Sequence, residues 1–472
     1  MKKFKLFIEN FLVYGLGGII SKIIPLVMVP IVTRIMPNTD YYGISDLSNT
    51  LVQFGSAIAV MGMYDAMYRL FFEKDDENYK KSICSTAITF TLFMSLVVFG
   101  IMCIFRNSIA EFFFNDKKYA YVVYLSAMAT LVGATNSIIS APTRMQNKRK
   151  IFLVTNAISP LISYCIAIPM LLNGFYVIAL PIAAVISGIS MEIIFYVLNN
   201  RWFNLKLFDF ILLKQLLVIA IPLFPNFLIY WVFNSCDKVM IANLIGVGAS
   251  GIYSVSSKLG SASQLIYTAF AGGWQYFAFS TMKEDNQVES NSKIYEYLGV
   301  ISFIVTAFMC AFSYKIFEIL FTQEYLMGYI SAPYLFIAPL LQMLFQVACN
   351  QFIIIKKTWP NMFILSLGAI INIGLNYFLI PVIGIEGASI ATLMGYIISN
   401  VICVIVLIKM KLMIISRKFI ISLMVIIIYL LTWRLLFTSK TIIGLLLSIF
   451  ITVLYMLIYR KDLLNFYNSI KK

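Results

Sequence analysis

The sequence predicts an all-α polytopic membrane protein of about fourteen transmembrane helices, built as two parallel six-helix lobes followed by a terminal helix pair. Three observations predict it. Of 472 residues, 61% are hydrophobic and only 12% charged, whereas a soluble domain is about half apolar and about a quarter charged. Apolar stretches of about 20 residues, each long enough to cross a bilayer, recur almost from end to end. Short motifs in the first half also return in the second at a nearly constant offset.

The predicted spans of the first half are 10–36, 43–64, 83–105, 119–141, 151–172 and 175–198 (spans 1 to 6). Those of the second are 213–235, 239–270, 294–320, 327–352, 360–382 and 385–408 (spans 7 to 12), and the last pair is 417–437 and 441–459 (spans 13 and 14). The stretch 239–270 is longer than a crossing needs and must contain a loop. The lobes are therefore 1–207 and 208–411, with the pair in 412–472. The start, Met1-Lys-Lys-Phe-Lys, resembles a signal-peptide n-region, but the apolar run behind it reaches Met36 without a small-residue cleavage site. It is read as a signal anchor and as span 1.

Composition excludes several functions. The chain has no His, which removes a Ser-His-Asp triad, a His-ligated metal and a His general base. Its seven Cys (84, 103, 165, 236, 310, 349 and 403) form no C-x-x-C pair and read as small core residues. No phosphate-binding loop marks a nucleotide site, and no metal or other cofactor is expected. The net charge of +15 comes from Lys and Arg scattered over short loops, so nucleic acid is not an expected partner. Most of these residues fall in alternate loops on the side of the N-terminus, which predicts that both termini are cytoplasmic. The outer loops are short, the longest being Arg106 to Lys118, and leave no room for a catalytic domain.

The repeat sets the topology. Tyr42-Gly43-Ile44-Ser45-Asp46-Leu47-Ser48 is matched by Ser250-Gly251-Ile252-Tyr253-Ser254-Val255-Ser256, with Gly43 and Gly251 lying 208 positions apart. Asn147-Lys148-Arg149 pairs with Ile355-Lys356-Lys357 at the same offset, and Ile168-Pro169 with Ile380-Pro381 at 212. Because each half holds an even number of spans, both halves start on the same side, and the repeat is parallel about an axis along the membrane normal. Span 1 carries Pro25 and Pro30, and its counterpart span 7 carries Pro222 and Pro225. Prolines at matching places in two halves mark either a transport pathway or a packing kink.

Ionisable groups inside spans are costly and are functional candidates by default. Lys22 lies deep in span 1 on a small face with Gly15, Gly18 and Pro25, and Lys258 lies within span 8. Asn226, Tyr230, Asn234 and Lys238 recur every four residues on span 7, as do Gln342, Gln346 and Asn350 on span 10, while span 11 adds Gly368, Asn372 and Asn376. Such stripes line a wet cavity or hydrogen-bond a neighbouring helix, and both readings stand for the amides. Arg34, Asp46, Asp65 and Arg69 lie near helix ends, and Asp65 and Arg69 are spaced to pair on one face. Lysines and arginines facing a cavity would favour a phosphate or pyrophosphate over a cation.

At this point the residues resemble the polysaccharide or oligosaccharide flippases of the multidrug/oligosaccharidyl-lipid/polysaccharide exporter superfamily. The resemblance covers essentially the whole chain. It rests on Tyr14-Gly15-Leu16-Gly17, Pro30-Ile31-Val32-Thr33-Arg34, Asp40-Tyr41-Tyr42-Gly43, Ile252-Tyr253-Ser254-Val255-Ser256-Ser257-Lys258-Leu259 and Ala271-Gly272-Gly273-Trp274-Gln275. The Pro usual soon after Trp-Gln is Tyr276 here. The resemblance implies a two-lobed, MATE-like fold with spans 1, 2, 7 and 8 around a central cavity, in the cytoplasmic membrane of a prokaryote. It implies a lipid-linked glycan, typically on an undecaprenyl pyrophosphate carrier, as cargo. Spans 13 and 14 would hold the lipid tail, as in related lipid II flippases.

On this basis the expected cargo-binding residues are Lys22, Arg34, Arg69, Asn226, Tyr230, Asn234, Lys238 and Lys258. Asp46, Asp65 and Asp237 are the candidates for coupling to a Na⁺ or H⁺ gradient. Membrane lipids, a polysaccharide polymerase and glycosyltransferases are the expected partners. Two alternatives stay open: an ion-coupled multidrug exporter of the same superfamily, and a non-transporting scaffold for glycan assembly. A major-facilitator transporter is disfavoured because the loop between spans 2 and 3, Asp65-Ala-Met-Tyr-Arg-Leu-Phe-Phe-Glu, lacks the Gly and Asp/Arg pattern of that class. A membrane-embedded polymerase or ligase would need a longer outer loop.

Overall fold

The computed structural model describes residues 22–268, 270, 274, 278, 281–282, 284–357 and 359–464, and every regular element among them is helical. Among these described residues, eleven helices are long and apolar enough to cross a membrane, and they correspond to spans 3 to 7 and 9 to 14. The remaining three of the fourteen expected spans are 1, 2 and 8. Span 1 is described from residue 22 as a helix over 22–35 that continues through Pro25 and Pro30. Span 2 is the helix Thr39–Val60, and span 8 starts as the helix Val247–Gly260. Span 2 carries so many polar and acidic residues that hydropathy alone does not mark it, although much of it is buried.

Local chemistry explains the element ends. Asn38 starts span 2 by accepting a hydrogen bond from the Asp40 N–H at 3.1 Å, and Asp209 starts span 7 by accepting from the N–H groups of Ile211 (2.7 Å) and Leu212 (3.2 Å). Span 2 ends where Met61 and Gly62 turn left-handed, with φ of 47° and 76°. A Cβ on Gly62 would lie 2.8 Å from the Ala220 carbonyl oxygen, so glycine serves both the turn and the contact with span 7. The chain then re-enters a short helix, Met63–Phe71.

Two expected boundaries change. Span 7 does not stop at 235: Phe210–Trp231 runs through a π-helical turn, Val232–Cys236, into Asp237–Leu244. The predicted stretch 239–270 therefore divides at Ile245-Gly246, where Gly246 has φ of 139°. Pro222 and Pro225 sit inside a continuous helix, and the irregular turn lies beyond them. The loop expected over Arg106 to Lys118 contains a nine-residue helix, Arg106–Phe114, whose Ala110, Phe113 and Phe114 are buried.

The repeat reappears in backbone geometry. Span 4 ends at left-handed Asn147, with the Lys148 N–H donating to the Thr143 carbonyl at 3.0 Å. Span 10 ends at left-handed Lys356, with the Lys357 N–H donating to the Phe352 carbonyl at 2.8 Å. Both are the six-to-one closure that satisfies orphan carbonyls at a helix end. Gly174 after span 5 and Gly384 after span 11, with φ of 86° and 65°, form a third matched pair.

By packing, the chain forms two compact units, Met1–Ser254 and Val255–Lys472. In the first, spans 2, 3, 4 and 6 pack together and span 7 lies against spans 2 and 3. One apolar core there gathers Met63, Met67, Ile83, Ile138, Met191 and Leu216, and another gathers Ile44, Leu47, Phe113, Phe114, Val239 and Ala242. In the second unit, the largely buried Gly328–Ile354 packs against spans 9 and 12, and span 11 lies on span 12.

The terminal pair packs on span 9. A Cβ on Gly444 would come within 3.1 Å of the Ala311 Cα, and Ser448 and the Tyr429 hydroxyl both donate to the Ala307 carbonyl at 2.9 Å. Buried Glu296 accepts from the Ser416 hydroxyl at 2.7 Å, and Arg434 forks onto Glu386, one arm at 2.7 Å. Close backbone approach through small residues, with hydroxyls as glue, is the usual means of joining helices in lipid.

Candidate functional site

The two copies of the repeated motif meet. A Cβ placed on Gly43 of span 2 would lie 2.3 Å from the carbonyl oxygen of Val247, and one on Gly251 of span 8 would lie 2.3 Å from the carbonyl oxygen of Thr39. The relation is reciprocal, because each glycine meets the residue four positions before the other. That is the signature of a local two-fold axis passing between them, and only glycine permits the approach.

One turn further along span 2, Asp46 receives the Lys238 ammonium at 2.6 Å, with the lysine and aspartate side chains 8% and 5% exposed. Beside it, the Tyr253 hydroxyl of span 8 donates to the Asp237 carboxylate, and Ser250 donates to the Lys238 carbonyl at 3.0 Å. The Trp231 indole donates to the Thr50 carbonyl at 3.2 Å and its ring lies 4.7 Å from that of Phe54. Asn243 donates to the Phe112 carbonyl at 2.7 Å and so ties the helix Arg106–Phe114 to the end of span 7. Spans 2, 7 and 8 are thus fastened at one end by a close crossing, an ion pair and a tyrosine–aspartate bond.

The π-helical turn builds this site. With a regular helix, Asn226, Tyr230, Asn234 and Lys238 would form a single stripe. The wider turn at Val232–Cys236 puts an extra residue into the helix and rotates the residues beyond it. Asn234 is exposed and folds its amide onto the Tyr230 carbonyl at 2.7 Å, whereas Asp237 and Lys238 are turned into the protein. The expected four-residue stripe is therefore broken between Asn234 and Lys238. Asn226 and Tyr230 are half-buried.

Of the expected site residues, Asp46, Asp237 and Lys238 come together, and a coupling candidate and a cargo candidate pair with each other. Asp65 and Arg69 are exposed on Met63–Phe71, beyond the left-handed turn that ends span 2 and away from Asp46, and no ion pair joins the two. Lys22 and Arg34 are exposed on the helix 22–35, and Lys258 is half-buried in Val247–Gly260. Gly15 and Gly18, expected beside Lys22, lie outside the described residues, as do Ala271 to Gly273 and Gln275, while Trp274 is described and buried.

The amide stripe of span 11 is a packing device: Asn372 donates to Thr392 of span 12 at 3.2 Å and Asn376 donates to Asn372 at 3.3 Å, both residues being fully buried. On span 10, Gln346 accepts from the Tyr267 hydroxyl at 2.8 Å. Among the cysteines, Cys165 is exposed and departs from the expected core role. Two residues were missed. Tyr253 was visible in the repeat but not as a partner of Asp237. Glu192 is a half-buried carboxylate in the apolar span 6, and its place inside a span was the available signal.

The polysaccharide biosynthesis protein family is matched over residues 31–329. The lipid II flippase MurJ, in an inward closed conformation, superposes with a TM-score of 0.70 and 16% identity, covering 95% of this chain and 98% of the other. A multidrug resistance MATE transporter of the MOP superfamily, inward-facing, gives 0.59 and 13%, covering 84% and 94%. A MATE protein in complex with MaL6 gives 0.61 and 13%, covering 86% and 95%. No curated protein matches. The shared feature at these identities is the fold.

Proposed function

We propose that this chain, which belongs to the polysaccharide biosynthesis protein family and is a multi-pass membrane protein of the MOP transporter fold, flips a lipid-linked oligosaccharide across the membrane. The carrier is of the undecaprenyl pyrophosphate type, the membrane is the cytoplasmic membrane of a prokaryote, and both termini are cytoplasmic. The lobes 1–207 and 208–411 alternate access, with 412–472 appended as the lipid-tail element. A polymerase and glycosyltransferases act on either side of the step.

The observation that carries the mechanism is the buried Asp46–Lys238 pair, which joins a span of the first repeat to a span of the second. In the orientation that the basic loops support, it lies toward the outer end. A contact between repeats that is strong when made and separable along a polar plane is what an outer gate requires. Lys238 and Asp46 then serve as the latch, and Lys22 and Lys258 as the cations that hold the pyrophosphate, with Arg34 and Arg69 nearer the ends of the path. Asn226, Tyr230 and Asn234, on the same span as the latch, offer amides and a hydroxyl to sugars.

Replacing both Lys22 and Lys258 with Ala is expected to abolish glycan export while the protein stays inserted at normal levels. Surface-glycan staining beside a membrane immunoblot reads this, and normal export by the double variant would remove the pyrophosphate site. A scaffold would survive the same change. Coupling through Asp46, Asp65 or Asp237 predicts that a pH jump or a Na⁺ gradient, applied separately to proteoliposomes, changes the flipping rate. If neither does, ion coupling falls.

A further inference from the structure

A polar pocket lies away from the Asp46–Lys238 cluster, within the first compact unit and between the facing ends of spans 4, 5 and 6. It encloses about 330 Å³ and is lined by Asn136, Ser137 and Ser140 of span 4, Thr155 and Asn156 of span 5, and Arg144. The three hydroxyls donate to their own helices, as does one of the two N–H groups of the Asn156 amide. Ser137 donates to the Ala134 carbonyl (2.7 Å), Ser140 to Ser137 (3.2 Å), Thr155 to Ile151 (2.8 Å) and Asn156 to Phe152 (2.8 Å). Their acceptor oxygens are left to the pocket, and the buried Asn136 Oδ1 has no hydrogen-bond partner.

Among the described residues the one cation lining the pocket is Arg144, whose guanidinium lies 4.4 Å from the centre of the Phe152 ring and donates a single long bond, 3.4 Å, to the Tyr64 hydroxyl. Its remaining N–H groups suit a phosphate. The pocket therefore asks for an anion that also carries hydroxyl donors.

An open apolar groove of about 290 Å³ adjoins it, sharing Thr155 and Met191 and lined by Ile151, Val154 and Ile194, with Lys150 among its residues. A polar pocket continuous with an apolar groove, with Arg144 and Lys150 both close to the loop that carries Lys148 and Arg149, matches a membrane lipid: head in the pocket, chain on the groove. The basic loops place this at the cytoplasmic leaflet. We infer that this is a site for a membrane phospholipid with a hydroxylated anionic head, of phosphatidylglycerol chemistry. The pocket has room for one such head and is too small for a pyrophosphate bearing several sugars.

The test is native mass spectrometry of the delipidated full chain, titrated with phosphatidylglycerol, with phosphatidylethanolamine and with glycerol 3-phosphate. Phosphatidylglycerol should bind about tenfold more tightly than phosphatidylethanolamine. Arg144→Gln should lose about tenfold, the worth of one charge-assisted hydrogen bond, and Asn156→Leu a similar amount. Arg106→Gln, at a distant basic site, should change nothing. If Arg144→Gln fails to fold, Asn156→Leu and Ser140→Val carry the test. Equal binding of the two lipids, unchanged binding in the pocket variants, or displacement of the lipid by equimolar glycerol 3-phosphate would each overturn the assignment.

Discussion

Lys238→Met should lower the apparent Tm of the detergent-solubilised protein sharply and stop glycan export. The change leaves the Asp46 carboxylate buried and uncompensated, and removing one member of such a pair costs about 3–5 kcal/mol. Adding Asp46→Ala should restore most of the stability, because a buried ion pair replaced by apolar groups is commonly neutral or better. Export should not return with it. The latch contributes a contact that must form and separate in each cycle, and an apolar replacement alters that balance without unfolding the protein. Thermal unfolding and surface-glycan staining on the two variants check this. A single variant with the parent Tm, or a double variant that is both stable and fully active, would show that the pair is ordinary packing.

Gly43→Val and Gly251→Val should each prevent normal accumulation of the protein, and to a similar degree. At both positions the added Cβ would sit 2.3 Å from a backbone oxygen of the facing helix, which cannot rotate away as a side chain would. Overpacking a core costs about 1–3 kcal/mol even where side chains adjust, and here the helices must separate. Gly100→Val is the control, since nothing lies within 4 Å of a Cβ there. Membrane-fraction immunoblots compare the three. Unequal effects at Gly43 and Gly251 would speak against the reciprocal geometry.

Composition, hydropathy and the repeat carried most of the fold. Spans 3 to 6 and 9 to 14 were readable because apolar length suffices to mark them, and the junction of Gly43 with Gly251 was implicit in a motif that occurs twice. What could not be read was phase. A π-helical turn at Val232–Cys236 leaves no clear signature in residue type, yet it decides that Lys238 faces Asp46 instead of continuing the line of Asn234. The partnership of Tyr253 with Asp237 was hidden for the same reason, since it depends on how two helices are rotated. Asn372 and Asn376 show the converse limit, because a polar stripe on a helix looks alike whether it meets water or Thr392. The polar pocket beside Arg144 was likewise invisible, being formed by modest hydroxyl residues on two spans that only packing brings face to face.

Flipping by the purified full chain in proteoliposomes measures transport without intermediaries. A radiolabelled oligosaccharide on undecaprenyl pyrophosphate would be placed in both leaflets, and its accessibility to an added membrane-impermeant glycosidase followed over time. With the protein present, the protected fraction should fall from about half toward zero, and the Lys22→Ala/Lys258→Ala variant should leave it near half. A protected fraction that stays at about half with the parent protein, under both a pH and a Na⁺ gradient, would rule out flipping by this chain.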